Sequence, residues 1–136
     1  MLQGLTTVSY WADDVNRAKQ WYSELLGIEP YFNVPNQDGT LGYTEFRIGD
    51  YQHELGLIDR RYAPFDASSS GAIIYWHVAD VGVTLEKLLA MGAKTLEAPK
   101  DRGHGFVTAT VIDPFDNILG IMYNPHYLQT LKGEKQ

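Results

Sequence analysis

The side chains best able to do chemistry fall at alternate positions of segments that read as strands. Tyr43, Glu45 and Arg47 alternate in one, Glu54 and Gly56 in the next, and Thr7, Ser9 and Trp11 in the first. The second half of the chain repeats the habit with Ile73, Tyr75 and His77, with Phe106, Thr108 and Thr110, and with Ile118, Gly120 and Met122. Side chains two apart on a strand share a face. The residues between them, such as Val8, Tyr10, Phe46, Leu55, Leu57, Trp76, Ala109 and Val111, read as core facing helices. The other face therefore combines rings (Trp11, Tyr43, Tyr75, Phe106) with ionisable groups (Glu45, Arg47, Glu54, His77). A solvated face does not need so many rings, and a core does not accept unpaired charges. Aromatic walls with a few placed polar groups suit a small-molecule pocket, the alternatives being a wet sheet face or one buried against a second chain.

Glu54 is the leading candidate for acid–base work, since a carboxyl in an aromatic pocket can have a raised pKa. Its alternative is a salt bridge to Arg47. His77 is the second catalytic candidate, able to move protons or bind an anion, or else a hydrogen-bonded rim residue. Arg47 offers a planar fork for a ligand carboxylate or phosphate. The run Arg102-Gly103-His104-Gly105 is expected to be a movable loop, its glycines allowing it to act as a lid. His53 and His126 read as surface residues, and Trp21 as helix packing. The predicted ligand contacts are Trp11, Tyr43, Glu45, Arg47, Glu54, Tyr75, His77, His104, Phe106 and Met122.

Positioning these residues falls to elements that occur twice. Tyr10-Trp11-Ala12-Asp13-Asp14-Val15 and Tyr75-Trp76-His77-Val78-Ala79-Asp80-Val81 each lead into a helical pattern. Leu55-Gly56-Leu57-Ile58 and Leu119-Gly120-Ile121-Met122 match later, each pair about 65 residues apart. Asp14 and Asp80 stand where N-caps belong, and Gly27 and Gly92 where helices end. Val15, Ala18, Tyr22, Leu25 and Leu26 form one apolar stripe, and Val81, Leu85, Leu88 and Leu89 the other. Strands are expected near 5–12, 30–34, 41–48 and 52–58, then near 72–78, 94–97, 105–112 and 117–123. Pro35 to Gly39 and Asp113 to Asn117 read as tight turns. One domain over 1–136 is expected, with modules at about 5–58 and 72–123, a flexible linker at 59–71 ending Ser68-Ser69-Ser70-Gly71, and a fraying tail at 124–136.

Composition narrows the functions. Hydrophobic residues make up 44% and charged residues 21% of the 136, enough for a core. A net charge of -6 and a pI near 5.0, with scattered Lys and Arg, disfavour nucleic acid. The absence of cysteine excludes disulfides and thiolate chemistry. No run suggests a signal peptide or a bilayer span, so a cytoplasmic protein without a membrane partner is expected.

The pattern resembles the vicinal oxygen chelate superfamily, which comprises the glyoxalase, bleomycin-resistance and extradiol dioxygenase proteins. The residues carrying the resemblance are Asp14-Val15-Asn16-Arg17-Ala18, Trp21-Tyr22, Leu26-Gly27, Val78-Ala79-Asp80-Val81, Gly92-Ala93 and the run Asp113-Pro114-Phe115-Asp116-Asn117-Ile118-Leu119-Gly120-Ile121. That last run is similar to a family turn with Asp116 in the usual glycine place. The resemblance implies an α+β fold, tandem β-α-β-β-β modules forming a curved, partly open mixed sheet around a pocket. It also implies a homodimer. Family enzymes hold a divalent metal with two side chains from each module. The corresponding positions are Thr7, Ile73, Gly120 and either Glu54 or Gly56, so no metal or other cofactor is expected there. A relocated site using Glu54, His77 and Glu45 is the alternative.

The expected function is metal-independent binding of a small organic molecule, as in sequestration. The rivals are a lyase, isomerase or dioxygenase-like enzyme using Glu54 as base or a relocated metal, and a protein-interaction or immunity-type module.

Overall fold

Strand β1 (Thr7–Ala12) buries Val8, Tyr10 and Ala12 and leaves Thr7 and Ser9 exposed and Trp11 half-buried, the alternation its sequence predicts. Residues 1–63 and 72–133 are described by the computed structural model, which divides into two compact units, Met1–Ala67 and Ser68–Gln136.

In the first unit β1 is followed by helix α1 (Val15–Leu26) and strands β2 (Phe32–Pro35), β3 (Leu41–Ile48) and β4 (His53–Asp59). The sheet order is β1-β4-β3-β2, with β1 parallel to β4 and the other pairs antiparallel. Asp14 caps α1 by accepting from the Arg17 amide at 3.1 Å. Gly27 ends it at φ 70°, where a side chain would strain the backbone. Val15, Ala18 and Tyr22 of α1 are buried with Phe46, Leu55 and Leu57 of the sheet. Burial of Tyr22 or Phe46 contributes roughly 2–3 kcal/mol each.

The second unit repeats this plan with β5 (Tyr75–His77), α2 (Val81–Ala90), β6 (Lys94–Gly103), β7 (Phe106–Ile112) and β8 (Ile118–Tyr123), in the order β5-β8-β7-β6. Asp80 caps α2 through the Val83 amide at 3.0 Å. Its core joins Val81 and Leu88 to Ala109, Val111, Leu119 and Ile121. Leu89 departs from the predicted stripe and is 43% exposed, because one residue past Leu88 turns it about 100° off the buried line.

Several expectations are corrected. The predicted linker begins with order: Asp59 closes β4, and Arg60–Tyr62 form one turn of 3₁₀ helix capped by the Asp59 carboxylate. Its Ser68 to Gly71 end lies outside the described residues, as do positions 134–136 of the predicted tail. Within the rest of that tail, Pro125–Leu131 form a third helix, α3, with no fully buried residue. Asn124 caps it through the Tyr127 amide at 3.0 Å, and proline suits a first helical turn. Strand β6 runs well past residue 97. It is outermost in its sheet, where Pro99 and the register shifts around it are tolerated. The predicted lid is a tight hairpin instead. Arg102 and Gly103 belong to β6, and His104 (φ 55°) and Gly105 (φ 89°) make a two-residue connection to β7. Among the described residues, no helix is long and apolar enough to cross a membrane.

Candidate ligand-binding site

On the face of the first unit away from α1, strand register arranges side chains in rows. Arg47, Glu54 and Thr7 form one row, Phe32, Glu45, Gly56 and Ser9 the next, and Val34, Tyr43, Ile58 and Trp11 a third. The structure thus brings Tyr43, Glu45, Arg47 and Glu54 together as predicted, and sets Trp11 at the end of the third row. Both oxygens of Glu54 are engaged, Oε1 by Arg47 at 3.3 Å and Oε2 by the Thr7 hydroxyl at 2.7 Å. Arg47 also lies over the Tyr31 ring, 4.6 Å from its centroid, and donates to the Tyr31 hydroxyl at 3.3 Å.

Glu45 differs. It is 9% exposed, and its Oε1 accepts from the Tyr43 hydroxyl at 2.5 Å. Burial raises its carboxyl pKa; the nearby Glu54 charge adds to this and Arg47 opposes it. Tyr43 is raised too, first by burial and then by Glu54, against a bond from Ser9.

Beside the third row lies a cavity of about 210 Å³ lined by Val34, Pro35, Asn36, Gly42, Tyr43, Ile58 and Tyr62. Tyr62 donates to Asn36, whose amide nitrogen reaches Thr40 at 3.0 Å and Asp59 at 3.3 Å. A second cleft at the start of α1 is lined in part by Asp13, Asp59 and Arg61, charges already paired: Asp13 with Arg60 at 2.9 Å, and Arg61 with Asp59 at 3.0 Å and Asp38 at 3.3 Å.

The second unit presents Tyr75, Gly120, Thr110 and Glu97 in one row, with His77, Met122, Thr108 and Lys100 beside it. His77 Nδ1 accepts from the Asn124 amide at 3.1 Å, so the neutral imidazole carries its proton on Nε2. Its ring stacks on Tyr127 at 5.2 Å, and burial lowers its pKa. Met122 accepts from the Asn124 side chain at 3.7 Å. Phe106 packs edge-on against His126 at 4.9 Å, which ties His126 to the sheet although it remains exposed. His104 stands exposed in its hairpin. The Thr110 hydroxyl is buried without a hydrogen-bond partner.

A family model for the glyoxalase, bleomycin resistance protein and dioxygenase superfamily matches residues 4–121. The chain belongs to this superfamily. Solved structures agree in fold. A glyoxalase-related enzyme from Fulvimarina pelagi shares 20% identity over 91% of this chain and 90% of its own, with a TM-score of 0.72. A protein from Agrobacterium tumefaciens shares 21% over 90% and 98%, with a TM-score of 0.72. The fosfomycin resistance protein FosX of Listeria monocytogenes shares 12% over 91% and 95%, with a TM-score of 0.69. No curated protein matches the sequence.

The metal positions implied by the superfamily can be tested against the register. Ser9 pairs with Gly56 just as Tyr75 pairs with Gly120, so Gly56 is the counterpart of Gly120, and Glu54, two residues earlier, is not. The four places then hold Thr7, Gly56, Ile73 and Gly120, none of which supplies an imidazole or carboxylate. Tyrosines occupy the space a ligand side chain would need. A Cβ on Gly56 would meet the Tyr43 ring at 2.7 Å, and one on Gly120 the Tyr75 ring at 2.7 Å and the Ile74 carbonyl at 2.6 Å. The residues present do not fit the superfamily's metal. Among the described residues, no group of three or more His, Asp and Glu side chains is arranged to hold one.

Sequence reading missed Tyr31, Phe32, Val34, Asn36 and Tyr62. Phe32 and Val34 alternate on β2 and are 48% and 41% exposed, a signal present in the sequence once that strand's face is assigned. Tyr62 lies in the stretch expected to be linker.

Proposed function

We propose that this superfamily member binds a small organic molecule without a metal and serves to sequester it. The observation that carries this reading is the pair of glycines at the superfamily's acidic ligand positions, each covered by a tyrosine ring. A metalloenzyme keeps those places open for donors; here they floor an aromatic surface, the lining small-molecule sites favour. Tyr43, Glu45 and the Arg47–Glu54 pair are the proposed polar contacts of the first unit. Tyr75, His77, Met122 and the unsatisfied Thr110 hydroxyl are those of the second.

Thermal denaturation across a panel of metabolites and antibiotics tests the reading. A ligand at 100 times its dissociation constant adds roughly 2.7 kcal/mol, a clear upward shift in Tm. Metal analysis of protein purified without chelators is expected to find only sub-stoichiometric Zn, Ni, Mn and Fe. One equivalent of any of them, or a panel with no stabilising compound, overturns the proposal.

A further inference from the structure

We infer that the first unit's face selects an organic cation with an aromatic body, its ring in the Tyr43–Tyr62 cavity and its positive charge beside Glu45. This deepens the proposed binding role and depends on it.

Three features converge. Glu45 and Glu54 are the acidic groups of the face, but only Glu54 has a cation against it, Arg47 at 3.3 Å. Glu45 is buried and bonded to a neutral hydroxyl, and no ion pair forms on it directly, Arg47 acting on it only from a greater distance, so its ionised form is incompletely compensated. The neighbouring rings are arranged to receive a cation. Phe32 lies directly across from Glu45 and meets Tyr43 edge to face at 6.4 Å. Tyr31, 6.2 Å from Phe32, already seats the Arg47 guanidinium on its face. Aromatic faces attract positive charge through their quadrupoles, more strongly where water is excluded.

Finally, Tyr43 joins the charged spot to the cavity, since it lines the cavity while its hydroxyl bonds Glu45. At about 210 Å³ the cavity exceeds the ~150 Å³ that accepts a benzene ring. An anion would meet Glu45 and Glu54 without a free positive partner, because Arg47 is committed to Glu54 and Tyr31.

The proton on Glu45 then competes with the ligand. Facing Glu45 are Tyr43 and Arg47 from its own strand and Glu54 from β4, while Phe32, Ser9 and Thr7 bring no charge. Cation binding favours the ionised carboxylate, so affinity rises with pH until Glu45 is fully ionised, by at most about tenfold per pH unit.

Calorimetric titration with benzyltrimethylammonium, benzyl alcohol and benzoate tests this. The cation is expected to bind at least about tenfold more tightly than the other two, and Glu45→Gln to weaken it about tenfold and so to narrow its advantage over benzyl alcohol. Should Glu45→Gln fail to fold, the rise of cation affinity with pH in the natural protein decides. Equal or tighter binding of benzoate or benzyl alcohol, no binding of any probe, or an affinity indifferent to pH and to Glu45→Gln overturns the inference. Stabilising compounds in the wider panel without cation preference leave the sequestration reading standing and sink this one alone.

Discussion

At the scale of single residues, Glu45 and Glu54 share one face of the first unit but differ in their partners. Glu54, the leading base candidate, spends its oxygens on Arg47 and Thr7, the structural alternative foreseen for it. Glu45 keeps a raised pKa and one hydroxyl partner. In the second unit His77 has a pH signature of its own. Burial depresses its folded pKa below 6.5, so the unfolded chain takes up a proton first as pH falls. Well above 6.5 both states are neutral and the imidazole contributes no slope; as pH falls through 6.5, stability drops until the folded form also protonates. Urea unfolding of the natural protein and of His77→Gln, compared between about pH 5 and about pH 7.5, is expected to show this slope only where the histidine is present. The other histidines cancel in that difference.

At the scale of elements, the glycines on β4 and β8 look equivalent but differ in what surrounds them. A Cβ at Gly120 would press on the Ile74 carbonyl, which belongs to the backbone and cannot swing away. A Cβ at Gly56 would press on the far end of the Tyr43 side chain, which can. Gly120→Ala is therefore expected to cost about 1–3 kcal/mol and Gly56→Ala distinctly less, read as urea midpoints. Gly56→Ala should instead loosen Tyr43 from Glu45. The turn before β8 shows a similar balance. Asp116 takes φ 69° where the superfamily places glycine, while Asp113 pins the turn by accepting from the Phe115 and Asn117 amides at 2.8 and 2.9 Å. Asp tolerates that left-handed conformation better than most residues.

At the scale of the whole molecule, the duplication is topological as well as sequential. Each unit places its first strand parallel to its last and its middle strands outward in the same order. The net charge of -6 favours solubility. A homodimer remains a proposal drawn from the superfamily. Sedimentation at about micromolar concentration is expected to give twice the chain mass, and a pure monomer refutes it.

The sequence by itself determined the repeat, the capped helices, the turn at Asp113 to Asn117 and which residues share each strand face. These are local properties, written in caps, glycines and an alternation of period two. That period also sets the limit. A slip of two residues keeps every side chain on its face, so alternation cannot tell whether Glu54 or Gly56 corresponds to Gly120. Only the pairing of Ser9 with Gly56, matching that of Tyr75 with Gly120, decided it in favour of Gly56. Tertiary structure likewise chose Arg47 as the partner of Glu54 and Tyr43 as the partner of Glu45, because such contacts depend on which strands lie side by side.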